Sequence, residues 1–239
     1  MIQSQKVEYN DGNNVLEGYY AYDDTIVEKM PLVLVAHDWS GLNEFACAKA
    51  DKLAELGYVG FALDMYGKGK HGNTKEEKSA LMAPLIQDRN KLQNRILSAF
   101  DAAKKIDQVS TSHIGAIGFC FGGLCVLDLA RSGADVKGVV SFHGLLHAPE
   151  NKAKHVIQSK VLVLHGFDDP MVTMEHVIAF GQEMTHANVD WQLNMYGNAM
   201  HAFTNPQAND PGFGTVYNKK ADVRSWIAMK KFFKEVFET

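Results

Sequence analysis

The sequence is poor in cysteine, with three in 239 residues. That excludes a disulfide-stapled mini-protein. No run comes near the roughly 18 consecutive apolar residues that a membrane-spanning helix needs. The opening stretch, MIQSQKVEYNDGNN, is polar and has no apolar h-region, so no secretory signal is read there. A cytoplasmic protein with reduced thiols and no membrane partner is the expectation. Positive charge is not in excess: 24 Lys and Arg stand against 28 Asp and Glu, a formal net charge of −4. No basic stretch is interleaved with aromatics, which argues against nucleic acid as a partner. The short basic patches around Lys68 and Lys70 and around Lys152 and Lys154 read as solvated loops or faces. Repeats, low-complexity segments and Pro- or Ser-rich linkers are also missing, and the six prolines are scattered. One domain over residues 1–239 is the simplest organisation. What the chain does have is apolar material, 46% of residues against 22% charged. That is ample for a packed core and argues against disorder.

The pattern of that apolar material sets the fold class. Val7 and Tyr9, then Val15, Leu16, Tyr19 and Tyr20, flank an Asp11-Gly12 turn signal and predict a β-hairpin. Residues 31–36, PLVLVA, form a continuous apolar run, which suits a strand buried on both faces. Helical spacing follows over 44–56, with Gly57 where a C-cap glycine belongs. The alternation then repeats. Strands are predicted at 58–63, 113–118, 136–142, 160–165 and 189–196. Helices are predicted at 121–132, 173–187 and 219–237, and residues 75–107 read as two helices around Pro84. Strands alternating with helices of this length imply an α/β fold, a mostly parallel central sheet with helices on both faces. In such sheets ligands sit beyond the carboxyl ends of the strands, so the residues just after each strand are where chemistry is sought.

One of those strand ends reads Gly118-Phe119-Cys120-Phe121-Gly122, followed by a helix. This is the strand–turn–helix shape of a nucleophile elbow, G-x-S-x-G, with Cys in place of Ser. Glycines at both flanks relieve crowding where strand meets helix. The helix N-terminus points its dipole at the thiol and favours a thiolate. Taken alone, the motif is equally a buried, inert cysteine beside packing glycines. A triad needs an acid and then a histidine later in the chain. Asp168 and Asp169 follow the strand at 160–165, and His201 follows the strand at 189–196. The order Cys120, Asp169, His201 is the order this fold requires. Asp168 is the rival acid; the pattern H-G-x-x-D-x-x-V over 165–172 favours Asp169, with Val172 completing it.

With these residues in place the chain resembles the dienelactone hydrolase family, which includes the carboxymethylenebutenolidases. The segments that carry the likeness are HDWSGLN at 37–43, ALDMYG at 62–67, GFCFGG at 118–123, SFHG at 141–144, HGFDDP at 165–170 and HAF at 201–203. The resemblance implies an α/β-hydrolase core, a Cys120-Asp169-His201 triad, and cleavage of an ester or lactone without a cofactor. It also implies that Asp38 contacts the resting nucleophile and that the Trp39 and Phe121 N–H groups form the oxyanion hole. Asp38 stands where the family's namesake has Glu, one methylene longer; its other reading is a cap for the helix that starts near Asn43. Asn205 stands where an Arg holds the namesake's anionic substrate. Asn makes no bidentate charged contact, so the anionic dienelactone is not carried over; Arg89 is a possible substitute. Tyr66, Phe142 and His143 follow strands and are candidates to line the pocket, with packing as the alternative.

Other chemistries fit less well. His143 and His147 are four apart but on a predicted loop, with no acidic partner at zincin spacing, so no metal is expected. Cys120 and Cys125 do not form a C-x-x-C pair. Gly67-x-Gly69 lacks the rest of a dinucleotide fingerprint. The expectation is a hydrolase that takes a small-molecule ester or lactone. The competing reading is a catalytically weak protein of this fold that uses Cys120 as a redox-sensing thiol or binds a ligand. Oligomeric state has no signature in the sequence.

Overall fold

The computed structural model describes residues 1–149 and 156–238. Lys152 and Lys154 lie outside the described residues. Contacts divide the chain into two units, Met1–Ile117 and Gly118–Thr239.

In the first unit, β1 (Ile2–Asp11) and β2 (Asn14–Asp23) pair antiparallel from Asp11↔Asn14 outward. This is the predicted hairpin; Gly12 takes the left-handed turn position at φ +56°. β3 (Met30–Ala36) and β4 (Val59–Leu63) run parallel, in register at Leu34↔Phe61. β2 pairs antiparallel with β4, so the order here is β1-β2-β4-β3. Leu32 to Ala36 and Val59 to Leu63 are fully buried, which explains their unbroken apolar sequence. α1 (Glu44–Ala54) packs on β3 and β4 and is capped by Asn43, whose side chain accepts from Ala46 N at 3.1 Å.

α2 (Lys75–Gln87) and α3 (Arg89–Ala103) correct one expectation. The helices separate at Asp88, and Pro84 lies inside α2. Asp88 ends one helix, its N–H bonding the Pro84 carbonyl at 3.3 Å. It starts the next, its carboxylate accepting from Lys91 N at 3.0 Å. The break falls where Asp88 caps the first turn of α3, and Pro84 is accommodated within α2.

β5 (Val109–Phe119) begins in the first unit and ends in the second. The second unit continues with α4 (Phe121–Arg131), β6 (Gly138–Phe142), β7 (Lys160–Gly166), α5 (Met174–His186), β8 (Trp191–Tyr196) and α6 (Lys219–Glu238). β6, β7 and β8 are parallel neighbours, registered at Val140↔Leu162 and Val163↔Leu193. α6 covers β6 and β7 with Met229, Phe232, Phe233 and Val236, all buried. A two-residue pair of strands, β9 (Asn209–Asp210) and β10 (Thr215–Val216), was not foreseen from the sequence.

A buried charge network braces this unit. Arg131 donates from Nε and Nη2 to both oxygens of Glu183 on α5, at 2.9 and 2.7 Å. It also donates to Asp128 at 3.1 Å and to the Leu146 carbonyl at 3.1 Å. The parallel strands leave the carboxyl ends of β7 and β8 side by side, and their following loops hold Asp169 and His201.

Candidate active site

Cys120 sits between β5 and α4 with φ 55° and ψ −115°, in the left-handed half of backbone space. A side chain normally avoids that region, and its occupation here is a strain that the surroundings hold in place. Gly118 shows how tight the turn is. A Cβ on Gly118 would lie 2.0 Å from the Gly122 carbonyl oxygen, so no other residue fits. The Cys120 N–H donates to the Phe142 carbonyl at 3.1 Å, tying the turn to the end of β6. Cys120 remains half-exposed, and Phe121 directly after it opens α4. The start of that helix turns its dipole and amide groups toward the sulfur, an environment that favours an anion. The other two cysteines sit on helices, Cys125 buried in α4 and Cys47 half-buried on α1. Burial, reinforced by Asp51, pushes the Cys47 thiol up to about 11.

Asp169 and His201 are brought together from 32 residues apart. His201 Nδ1 donates to Asp169 Oδ2 at 2.7 Å, and both side chains are buried. The other Asp169 oxygen accepts from Met171 N at 2.8 Å and Val172 N at 3.1 Å. The carboxylate is thus oriented by its own turn before it meets the imidazole. Asp168, the rival acid, is exposed and its backbone N–H bonds the Ala199 carbonyl at 3.0 Å. The His201 backbone is pinned too: its carbonyl accepts from Val216 N at 3.1 Å, and the Phe203 carbonyl accepts from Asn218 N at 3.0 Å. This is the work of the unforeseen β10 segment.

The electrostatics of His201 follow from its neighbours. Burial by itself disfavours the imidazolium. The charge of Cys120 and the hydrogen bond His201 donates to Asp169 outweigh it and raise His201 to about 10. Cys120 contributes a side-chain hydrogen bond to the ring as well as its charge. His165, at the end of β7, is buried as well; burial and the neighbouring His201 lower it against the pull of Asp169.

Of the pocket candidates, His143 and Phe142 lie in this unit. The His143 ring meets the His201 ring at 5.3 Å between centroids, inclined by 64°. Its Nε2 lies 2.8 Å from Thr204 Oγ1. Phe142 stacks on Phe119 at 4.7 Å and is buried, a packing role. Thr204 was not singled out in the sequence; a contact across 61 residues leaves no local signal. Asn205 turns its side-chain oxygen to the Gln207 N–H at 2.9 Å, a local turn contact.

Asp38, Trp39 and Tyr66 lie in the first unit. Asp38 accepts from Ser40 N at 2.8 Å and Ser40 Oγ at 2.5 Å, and the cap of α1 is Asn43. The Tyr66 hydroxyl donates to the Trp39 carbonyl at 3.0 Å. Tyr66 is buried against His37, its ring 4.9 Å away. Among the described residues no three His, Cys, Asp or Glu side chains gather as a metal-binding group. No helix of the described residues is long and apolar enough to cross a membrane.

The architecture is that of the α/β hydrolases, a mostly parallel sheet with helices packed on it. A crystal structure of a dienelactone hydrolase-like promiscuous phosphotriesterase from metagenomic libraries superposes with a TM-score of 0.94. It is 38% identical, and 99% of each chain is covered. The model of the dienelactone hydrolase family matches residues 16–237, and the chain belongs to that family. It is 28% identical over 235 residues to an Aquifex aeolicus protein assigned as a carboxymethylenebutenolidase, covering 96% of this chain and 97% of that one. An uncharacterized Caenorhabditis elegans protein is 40% identical over 157 residues, 64% of this chain and 99% of that protein. The activity that goes with the family is hydrolysis.

Proposed function

We propose that the protein hydrolyses a small carboxylic ester or lactone with Cys120 as nucleophile, His201 as acid and base, and Asp169 as the orienting carboxylate. The observation that carries this reading is the buried His201–Asp169 pair at 2.7 Å, with Cys120 raising the imidazole by its charge and by a hydrogen bond. The Cys120 thiolate attacks the carbonyl carbon, and the oxygen takes the electron pair of the C=O bond. The Phe121 N–H at the helix start receives that oxyanion. When the carbonyl re-forms, the ester C–O bond breaks and the leaving oxygen takes the proton from His201 Nε2. A water then attacks the thioester, gives its proton back to Nε2, and the thiolate departs with the C–S electrons. Asp169 keeps the imidazole in the tautomer with Nδ1–H and balances its charge throughout.

The names of the two similar proteins, a carboxymethylenebutenolidase and a dienelactone hydrolase-like phosphotriesterase, support an ester-type substrate. Asn205, occupied with its own turn, supplies no cation, so an anionic dienelactone is not the substrate proposed. The test is a panel of uncharged lactones, short aryl esters and thioesters, run with wild type and Cys120→Ala. Turnover by wild type and its loss in the variant are expected. Equal rates in both would remove Cys120 as the nucleophile.

A further inference from the structure

Three non-glycine residues of the second unit hold a left-handed backbone at the site: Cys120 at φ 55°, His143 at φ 39° and Ala202 at φ 57°. Such strain persists only where the surroundings over-determine it. The proposed chemistry accounts for two of them, since Cys120 is the nucleophile and Ala202 makes the turn beside His201. His143 is not accounted for. The turn itself does not demand a histidine there, because glycine adopts this conformation freely and Gly144 stands one position on. What the strained backbone does fix is the position of the His143 ring.

That ring lies against His201, with centroids 5.3 Å apart and planes inclined by 64°. Phe203 meets it edge-to-face at 5.0 Å and 79°. Its Nε2 is 2.8 Å from Thr204 Oγ1, and both side chains are buried. Thr204 is three residues beyond His201, so this contact joins the end of β6 to the loop that carries His201. The same end of β6 holds the nucleophile's backbone, through the Cys120 N–H to Phe142 carbonyl bond of 3.1 Å. Asp169 alone cannot fix the imidazole, because a single hydrogen bond at Nδ1 leaves the ring free to turn about that bond. A second ring packed against it removes that freedom.

We infer that His143 is a positioning residue for His201: held by Thr204 and by its own strained backbone, it fixes the plane in which the His201 ring presents Nε2 to the reacting atoms. The inference rests on the role proposed above for His201. The titratable groups that face His201 are Asp169 after β7, Cys120 before α4, His165 at the end of β7, and His143 itself.

The experiment compares wild type with His143→Ala, His143→Gln and Thr204→Val. It measures kcat and KM on an aryl ester and records nitrogen-15 spectra of the His201 ring. Misplacing a catalytic group by about 1 Å costs up to about 100-fold, so His143→Ala should lose about 10- to 100-fold in kcat with little change in KM. Thr204→Val should lose less, in the same sense. Gln reaches Thr204 and should recover part of the rate. The His201 signals should broaden or shift in His143→Ala. A wild-type kcat in that variant, a change confined to KM, or an unchanged His201 spectrum would each overturn the inference. If His143→Ala does not fold, Thr204→Val, which exchanges a hydroxyl for a methyl of similar size, tests the same contact. A wild-type kcat or an unchanged His201 spectrum there would overturn the inference equally. The spectra need no turnover. A Cys120→Ala enzyme that stayed active would therefore sink the nucleophile reading and leave this test standing.

Discussion

At the residue scale, the two adjacent carboxylates after β7 behave as different chemical objects. Asp169 accepts three hydrogen bonds, two from its own turn and one from His201, whereas Asp168 is exposed. Asp169→Asn replaces an acceptor with an amide and selects the wrong imidazole tautomer. A loss of about 10²- to 10⁴-fold in kcat is expected, the range of a general acid–base contribution. Asp168→Asn should leave kcat near wild type, and equal losses would remove the distinction. The same neighbours set the pH response. His201 is raised to about 10, so the imidazolium that in the proposed mechanism protonates the leaving group persists into alkaline solution and is lost as pH rises through about 10. The acylation rate should fall along that limb. Asp169→Asn removes a raising contact, and its limb should move to lower pH. In Cys120→Ala the largest raising contribution disappears while burial still lowers the ring. A nitrogen-15 titration should find the His201 pKa below that of wild type; an unchanged value would mean the sulfur does not govern it.

At the element scale, the elbow depends on contacts between backbone atoms. A Cβ at Gly118 would lie 2.0 Å from the Gly122 carbonyl oxygen, and neither group is a flexible side chain that can swing away. Gly118→Ala should cost about 3 kcal/mol or more, at or beyond the upper end of overpacking penalties. Its urea midpoint and its aryl-ester activity should fall together. The helix that follows β3 makes a milder case. Asn43 caps α1 through the Ala46 N–H, so Asn43→Ala should cost about 1 kcal/mol. Asp38 is engaged with Ser40, and Asp38→Ala should leave helix stability closer to wild type. Much of this level is legible from the chain. Apolar runs at 31–36 and 160–165 declare buried strands, and G-x-C-x-G declares an elbow, because each signal is contained within one element. The break at Asp88 was misplaced because Pro84 is a conspicuous residue. The deciding feature is the Asp88 carboxylate bonding the third amide of the next helix, and in a polar stretch an Asp that caps reads like any other Asp. β9 and β10, two residues each, are too short to show any period.

At the scale of the whole molecule, the second unit is organised around a cation with almost no access to water. Arg131 holds Glu183, Asp128 and the Leu146 carbonyl at once, joining α4, α5 and the segment after β6. Arg131→Met would leave the fully buried Asp128 without this partner. Removing one member of a buried pair costs about 3–5 kcal/mol, and a loss of that size in urea unfolding is expected. Arg131→Met with Asp128→Leu should recover part of it, since the fully buried carboxylate is then gone and Glu183 is partly exposed. A double variant as unstable as the single one would mean that Arg131 stabilises through contacts other than the one to Asp128.

The sequence by itself determined the class of fold, the order of its elements, the turn that presents Cys120, and the family to which the chain belongs. These are carried by short-range chemistry: apolar periodicity, glycines where backbones touch, and residue types at strand ends. The tertiary structure alone decided that β10 pins the His201 loop and that His143 reaches Thr204 across 61 residues. Partners so far apart in the chain are chosen by strand register and loop path. Those depend on the packing of the whole unit, and no local pattern encodes them.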